Sequence, residues 1–529
     1  MNTASEQNTP LIDALLNPAF YDHPVSSCQL IETHISWVIL TGDFAYKVKK
    51  PVDFGFLDFS SLQKRKYYCE EELRLNRRLA PDIYLDVVAI VGTPEAPSLT
   101  GPGNVIEYAV KMAQFSQQMQ LDHVLARNEL QPNMIDAIAN LIAAFHQQVD
   151  TAGDNTHYGD PEHVRQPIEE NFVQIRERVT DNKHLKLLSE LKQWSEHSFR
   201  ELQGYFIQRK LTGFIRECHG DLHLRNLAWY KDKPLVFDCL EFNQNFRWID
   251  VLSEVAFLVM DLQDRDQPSM AYRFLNRYLE LTGDYEGISV LRFYLVYRAM
   301  VRAKVDAIRA HQPGLSVEDT EKASREFHGY LRLALTYTKR GTPYIIITCG
   351  MSASGKSTLT QPLLEKLAAI RIRSDVERKR LYNIMPGENS YAKTGQGIYT
   401  PEATNSTYLR LAALAGNILD SGFPVIIDAA FPEIEQRNLF RQLATGKKTR
   451  CIILEFIASN NTLRQRIRDR KQDVSDADLD ILEDQIRNWH PLEQDEQAGI
   501  ITIDTERPFD INKLISQIES CRKIGPGNG

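Results

Sequence analysis

No apolar run in the 529-residue chain approaches the roughly 18 residues that a membrane span needs. The start, "MNTASEQNTP", has neither the basic nor the apolar stretch of a secretory signal, so the cytoplasm is the expected compartment and no membrane partner is expected. Cysteine is sparse. Cys28, Cys69, Cys218, Cys239, Cys349, Cys451 and Cys521 are scattered, odd in number and never spaced as CxxC or as a Cys/His ligand set. That pattern predicts reduced, mostly buried thiols, with no disulfide framework or zinc module. Cys218 and Cys349 each adjoin a motif treated below, where a redox role competes with the plainer reading of small apolar residues at strand ends. There is no low-complexity tract and no internal repeat, and a disordered class is not needed. Nor is there a surplus of positive charge. With 62 basic and 70 acidic residues the net charge is −8, the wrong sign for a general binder of phosphate backbones.

What is present is an ordinary globular composition, 43% hydrophobic and 25% charged, over a length that exceeds a single core and accommodates two large domains. Residues 30–50, "LIETHISWVILTGDFAYKVKK", alternate apolar and polar around a "TGD" turn, which predicts consecutive antiparallel strands. A helix is predicted over about 61–79, opened by Ser60 or Ser61 and stopped before Pro81. Strands return at "LDVVAIVG" and "NVIEYAVKM". From about 130 to 210 the period is helical; "LAWYKDKPLVFD" then reads as a hairpin, and helical patterns resume to about 338. A small β-rich lobe (about 25–115) followed by a helical lobe (about 116–338) is the expected architecture. Beyond the charged Gly/Pro segment "TKRGTPY", strands predicted at Tyr344–Cys349, Ile370–Arg373, Pro424–Asp428, Cys451–Phe456 and Ile500–Ile503 alternate with helix-length stretches. The fold class is therefore an α+β two-lobed domain over 1–338, followed over 339–529 by an α/β domain with a parallel sheet.

The stretch "CHGDLHLRNL", 218–227, spells His, any residue, Asp, four residues, Asn. Phosphoryl transfer to a hydroxyl needs a base for that hydroxyl, metal ligands, and a lysine on the nucleotide held by a carboxylate. Such groups follow in order: Lys47 in "FAYK", Glu72 in the next helix, Asp221 and Asn226 in the loop, and Asp238 after the hairpin in "LVFDCLEFN". Lys49 fits the lysine position as well, and Glu70 or Glu71 the carboxylate. A "DFG" at Asp53–Gly55 precedes the loop and reads as a turn. The loop "ETHISW" has no glycine, although close backbone approach to a phosphate favours one. This order resembles the aminoglycoside phosphotransferase family of kinase-like enzymes over about residues 25–335. The resemblance implies ATP and Mg2+ as cofactors, Asp221 as catalytic base, Asn226 and Asp238 as metal ligands, and Lys47 as the nucleotide lysine paired with Glu72. It also sets "IEYAVKM", 106–112, along the adenine.

A second motif, "IIITCGMSASGKSTL", satisfies G-x-x-x-x-G-K-[ST] between an apolar strand and an amphipathic helix. Backbone N–H groups over 351–357 would cradle phosphates at a helix N-terminus, which makes Gly350, Ser352, Ala353, Ser354, Gly355, Lys356, Ser357 and Thr358 the binding candidates. Lys356 would meet the terminal phosphates and Ser357 a magnesium ion. No Asn-Lys-x-Asp guanine reader follows. The strand "PVIID" ends in Asp428 and then Ala, not the Glu that activates water in motor ATPases, which favours transfer over hydrolysis. "IRIRSDVERKRL" sets Asp375 just past a strand end, with Arg378 nearby, where it could accept a hydroxyl proton. Arg466 and Arg470, four apart, share one helix face in the manner of a cationic lid. This order resembles small P-loop kinases of the polynucleotide 5′-hydroxyl kinase and zeta-toxin group, over about 343–525. The resemblance implies Asp375 as base, Asp428 in metal or acceptor placement, and Arg466 and Arg470 on the transition state.

The combined expectation is a bifunctional ATP-dependent phosphotransferase acting on small-molecule hydroxyl acceptors. Two rivals stand beside it. One is a single P-loop kinase with a regulatory, nucleotide-binding N-terminal domain, as the glycine-free loop hints. The other is a nucleic-acid 5′-hydroxyl kinase, against which the acidic balance weighs. Neither the acceptors nor an oligomeric interface has a signal in the sequence.

Overall fold

A computed structural model describes residues 9–55, 57–311, 315–388, 396–469, 479–493, 496 and 499–523. Helix α1 (Thr9–Leu15) precedes strands β1 (Gln29–Glu32), β2 (Ser36–Leu40) and β3 (Phe44–Lys49). Helix α2 (Leu62–Asn76) follows, its N-terminus capped by the Ser61 side chain, which accepts from Lys64 N at 3.2 Å. Strands β4 (Tyr84–Thr93), β5 (Ala96–Ser98) and β6 (Val105–Ala113) complete an antiparallel sheet of order β1-β2-β3-β6-β4-β5. Alternation along β3 decides what this sheet can do. Tyr46 and Val48 turn into a core shared with Leu11, Ile12 and Leu15 of α1, which leaves Lys47 and Lys49 on the opposite face.

Helices α3 (Leu121–Ala126), α4 (Pro132–Gln148), α5 (Pro161–Arg176) and α6 (Asn182–Leu211) come next, and then the short strand β7 (Ile215–Glu217). Strands β8 (Leu227–Tyr230) and β9 (Lys233–Val236) form the expected hairpin. Its two turn residues, Lys231 and Asp232, both have positive φ (50° and 58°), the twist-matching geometry of a two-residue β-turn. Strand β10 (Trp248–Asp250) pairs with β7. Helices α7 (Val251–Asp264), α8 (Pro268–Thr282), α9 (Ile288–Arg309) and α10 (Val317–Thr338) follow.

The third architectural block is built on five strands: β11 (Ile345–Cys349), β12 (Ile370–Arg373), β13 (Val425–Asp428), β14 (Cys451–Ile457) and β15 (Ile500–Asp504). They form a parallel sheet of order β12-β13-β11-β14-β15, with Ile345 opposite both Val425 and Cys451. Unbroken isoleucine runs suit strands covered on both faces. The covering helices are α11 (Lys356–Leu367), α12 (Ser374–Leu381), α13 (Pro401–Asp420), α14 (Ile434–Gly446), α15 (Asn460–Asp469), α16 (Leu479–Asn488) and α17 (Ile511–Lys523). The architecture is thus a kinase-like α+β part with an antiparallel sheet, followed by an α/β P-loop part with a parallel one. By compactness the chain divides into two units, Met1–Val164 with Ile207–Leu258, and Arg165–Phe206 with Val259–Gly529, so that α8 to α10 group with the parallel sheet. No helix among the described residues is long and apolar enough to cross a membrane.

One buried ion pair anchors the rim of the parallel sheet. Arg437 of α14 donates to both carboxylate oxygens of Glu496 (2.8 and 3.0 Å) and to the carbonyls of Phe431, His490 and Pro491, and neither side chain reaches solvent. Removing one partner of such a pair leaves an uncompensated charge. Arg437→Ala is therefore expected to cost about 3–5 kcal/mol of unfolding free energy by urea titration, a loss that Gln442→Ala, at an exposed position of the same helix, would not reproduce.

Candidate functional site

Two separate cavities gather the residues that the motifs single out. In the first unit, Lys47 Nζ lies 2.8 Å from Glu72 Oε1 and 2.6 Å from Asp238 Oδ1. Lys49, two residues on and so on the same face, is fully buried behind it. Its amine bonds Glu72 Oε2 at 2.7 Å and the Glu241 carboxylate, and sits 4.9 Å above the Phe59 ring. Glu72 thus serves both lysines, while Glu70 pairs with Lys66 and Glu71 with Arg74. Of the two lysines, only Lys47 lines the cavity. Burial would lower the Lys47 amine, but Asp238, Glu72 and Glu241 hold it well above its ordinary value. Burial would likewise raise Glu72, yet Lys47 and Lys49 hold that carboxyl at about 2. Glu241 goes the other way, raised by burial more than its lysines lower it.

Asp238 reaches this cluster through a left-handed backbone, φ 62°, fixed by two tethers: its N–H donates to Tyr84 Oη (3.1 Å), and Cys239 N donates to Asn76 Oδ1 (2.9 Å). The catalytic-loop spelling is equally constrained. Gly220 has φ 90°, and a Cβ there would lie 2.7 Å from Phe246 O, so only glycine fits. His219 Nε2 donates to Phe237 O (2.9 Å), leaving Nδ1 to accept from Asp221 N (3.3 Å); burial lowers this imidazole. Asn226 Nδ2 donates to the Asp221 carbonyl and carboxylate (3.0 and 2.9 Å), and His223 Nε2 lies 3.2 Å from the same carboxylate. Below the loop, Glu254 accepts from Gly220 N and meets His146 Nε2 at 2.7 Å. Burial would raise the Glu254 carboxyl, but His146, His219 and the Gly220 amide hold it at about 2.

The cavity measures about 420 Å3 and is lined by Lys47, Asp221 and Asp238 together with apolar side chains. Asn226 stands behind Asp221 and is not part of the lining. Of the segment 106–112 expected along the adenine, only Met112 lines the cavity, and the lining continues through Ala113, Gln114 and Phe115 instead. The reason is positional: the cavity opens at the end of β6, whereas Glu107, further back on the strand, is buried against Arg65. Thr33 and Ile35 of the glycine-free loop do line it. There Thr33 Oγ1 accepts from Ser36 N (2.9 Å), so a side chain closes the turn. The Asp53–Gly55 stretch is a turn closed by Gly55 N donating to Asp53 Oδ1 (2.9 Å), outside the cavity.

The second cavity, about 740 Å3, lies at the C-terminal end of the parallel sheet, over its central strand β11. Gly350 ends that strand where a Cβ would meet Phe456 O at 2.7 Å, and positive φ at Ala353 (62°) and Gly355 (92°) curls the loop into α11. Ser352, Ala353, Gly355, Lys356, Ser357 and Thr358 line the cavity; Gly350 and Ser354 lie beneath it. Lys356 Nζ folds back onto the carbonyls of Gly350 (2.7 Å) and Met351 (2.8 Å). Asp375 and Asp428 also line the cavity, Asp428 3.3 Å from Thr360 Oγ1. Arg466 is seated on the loop itself, bonding Ala353 O (3.3 Å), Thr505 Oγ1 (2.9 Å) and Thr505 O (2.8 Å). Arg470 lies outside the described residues. Ser352 N donates to Gln485 Oε1 (2.7 Å), so α16 contributes a side chain to the loop.

The donor chemistry fits a hard cation in both places. A carboxylate and a hydroxyl (Asp428, Ser357) in one cavity, and two carboxylates (Asp221, Asp238) in the other, are oxygen sets of the kind Mg2+ takes. Lys356, Arg373, Arg378 and Arg466 line the second cavity alongside Asp375, Asp428, Asp469 and Asp484, so cations for a polyphosphate and carboxylates for a metal or a hydroxyl share one space. Several contributors had no motif to mark them: Tyr84, His146, Glu241, Glu254, Gln485 and Thr505. Glu241 alone had a usable signal, standing three residues after Asp238 in a stretch already singled out. No disulfide joins the seven cysteines, and burial pushes the Cys349 and Cys239 thiols up to about 12, which removes both from thiolate chemistry at neutral pH.

Residues 58–294 match the model of the Phosphotransferase enzyme family, and residues 345–492 that of an AAA domain. An uncharacterized protein of Mycobacterium tuberculosis is 28% identical over 464 residues, 87% of this chain and 90% of its own. Among solved structures, a choline kinase from Cryptosporidium parvum Iowa II aligns at 13% identity and TM-score 0.37, over 61% of this chain and 91% of that one. A sugar kinase from Janibacter sp. HTCC2649 aligns at 19% identity and TM-score 0.27, over 35% and 96%.

The Glu254 pair gives a pH dependence whose sign is set. Its folded pKa of about 2 lies below the 4.5 of a free glutamate, so its contribution is full above pH 4.5 and is lost as the pH falls toward 2. That contribution is on the order of 3 kcal/mol. Glu254→Gln is expected to lower the urea midpoint at pH 7 and to flatten its decline between pH 6 and pH 3; a decline as steep as that of the parent protein would exclude the assignment.

Proposed function

We propose that this chain, a phosphotransferase in which a domain of the Phosphotransferase enzyme family precedes an AAA domain, passes the γ-phosphoryl of ATP to small-molecule hydroxyls at two independent sites. The observation that carries the reading is the duplication of one chemical constellation, a cation and a carboxylate lining one cavity roomy enough for a nucleotide: Lys47 with Asp221, and Lys356 with Asp375. We take the two domains as residues 1–338 and 339–529. Seven cysteines outside any disulfide suit the cytoplasm, where ATP is supplied.

At the first site Lys47, oriented by Glu72, binds the phosphates. Asp221, steadied by the Asn226 amide, takes the proton from the acceptor hydroxyl as that oxygen bonds to phosphorus and the bond to the bridging oxygen of ADP breaks. Asp238 would hold Mg2+, which neutralises phosphate charge, and the amide oxygen of Asn226, behind the lining, is the candidate second ligand. At the second site the amides of residues 351–357 and Lys356 bind the phosphates, and the Ser352 amide exchanges its bond to Gln485 for one to a phosphate oxygen. Asp375 takes the acceptor proton, Ser357 and Asp428 would hold the metal, and Arg466 with Arg470 offsets charge on the transferring group. Arg373 and Arg378, beside Asp375 in the lining, favour an acceptor that bears a negative group.

A second reading keeps only the AAA domain as a kinase and makes the first cavity a nucleotide sensor; the glycine-free Thr33 turn supports it. The test is transfer of labelled γ-phosphate from ATP into fractionated cytosolic metabolites by the parent protein, Asp221→Asn and Asp375→Asn. Two products are expected, each falling about 100-fold or more with a different substitution, the usual loss for a missing general base. A single product lost only with Asp375→Asn would establish the sensor reading, and labelling of oligonucleotide 5′-hydroxyls would move the acceptor to nucleic acid.

A further inference from the structure

Within the second unit, helix α8 reaches the parallel sheet along its β12 edge. Asn276 Nδ2 donates to Ala369 O (2.9 Å) and its Oδ1 accepts from Arg371 N (2.7 Å), while Tyr285 Oη donates to Arg371 O (3.3 Å). An edge strand presents unpaired N–H and C=O groups, and here side chains from α8 and the segment after it meet them. The packing is close: at Gly283, which ends α8 with φ 75°, a Cβ would lie 2.7 Å from Arg380 Cζ, and Arg380 Nη2 donates to Glu280 O (2.6 Å). Tyr272 packs on the core beneath the phosphate-binding loop.

One side chain of this contact carries charge toward the second cavity. The Glu280 carboxylate, 4% exposed, lies 3.5 Å from Arg371 Nη2 and 3.6 Å from Arg373 Nη1, with Arg277 at 3.1 Å. Both β12 arginines continue to the candidate metal position. Arg373 Nε is 3.9 Å from Asp428 Oδ2, and Arg371 Nη1 donates to Thr360 Oγ1 (3.2 Å), whose hydroxyl is 3.3 Å from the same carboxylate oxygen. Two guanidinium groups beside one carboxylate would neutralise it for metal binding unless another anion shares them. Glu280 is that anion.

We infer that Glu280, which lies in the stretch matched by the Phosphotransferase enzyme family, is a positioning residue of the other domain's site: it holds Arg371 and Arg373 and keeps Asp428 available to a divalent cation. The inference rests on the reading of Asp428 as a metal-placing group. It makes the second phosphoryl transfer dependent on a helix that precedes the P-loop strand in the chain, through charge as well as packing.

The experiment uses the full-length chain carrying Asp238→Asn, which removes one candidate metal ligand of the first site and the partner of Lys47. ADP is titrated calorimetrically at a series of Mg2+ concentrations, alongside ATP turnover and thermal unfolding without ligand. Glu280→Gln is expected to raise the Mg2+ half-saturation about tenfold, because the full charge of Arg373 then falls on Asp428. Adding Arg373→Gln to Glu280→Gln is expected to return it toward the parent value, a coupling that a loss of packing would not show. A Glu280→Gln protein with lowered melting temperature but unchanged Mg2+ half-saturation would overturn the inference. Asp428→Asn separates the two claims: if it leaves the Mg2+ dependence unchanged, the reading of Asp428 itself fails, whereas a shift with Asp428→Asn and none with Glu280→Gln removes only the role of Glu280.

Discussion

Charge removed from water must be met by opposite charge, and around both cavities the chain meets it from a different element each time. Glu72 on α2 answers Lys47 and Lys49 on β3; Glu241, beyond the hairpin, answers Lys49 again; Asp238 closes the ring. None of these groups would be tolerated alone in its place. The sheet, the helix and the post-hairpin segment are held in register by ion pairs, and the cavity inherits its shape from that demand. The same logic repeats below the loop, where Glu254 is held by His146 and by the backbone of Gly220.

The two cavities gather a cation and carboxylates by opposite means. In the first, the positive charge is on a side chain carried by an antiparallel strand, and the nearby turn is closed by the Thr33 hydroxyl without a left-handed glycine. In the second, much of the positive character comes from backbone N–H groups, which demands the Gly350 and Gly355 positions and a strand-to-helix junction at the centre of a parallel sheet. One is therefore strict about distant carboxylates, the other about its loop.

This contrast explains how much could be read without coordinates. The central parallel strands were legible because doubly covered strands are continuous apolar runs, and Ile345–Cys349 and Val425–Asp428 lie within a residue of expectation. The phosphate-binding loop was legible because its constraint is local. The partners of the first cavity were less so: nothing near Glu254 in sequence announces that it underlies residue 220, and in α8 Glu280 reads like any charged residue on a solvated helix face. Where along β6 the cavity opens depends on sheet register and on irregularities at Tyr84/Asp86 and Ile90/Val91, so the expected segment 106–112 gave way to Met112–Phe115. The grouping of α8 to α10 with the parallel sheet was hidden for the same reason, since composition changes at about residue 340 while the contacts do not.

The covered edge of β12 also bears on the ribosome. Residues 268–285 are translated about ninety residues ahead of the strand they meet, so Asn276 and Tyr285 already exist when Ala369 and Arg371 emerge. An edge that would otherwise be available to neighbouring nascent chains finds its cover waiting on its own polypeptide. Chain polarity thereby becomes part of the protection: were residues 1–338 placed after residues 339–529, the strand would wait for its helix, bare, in a crowded cell.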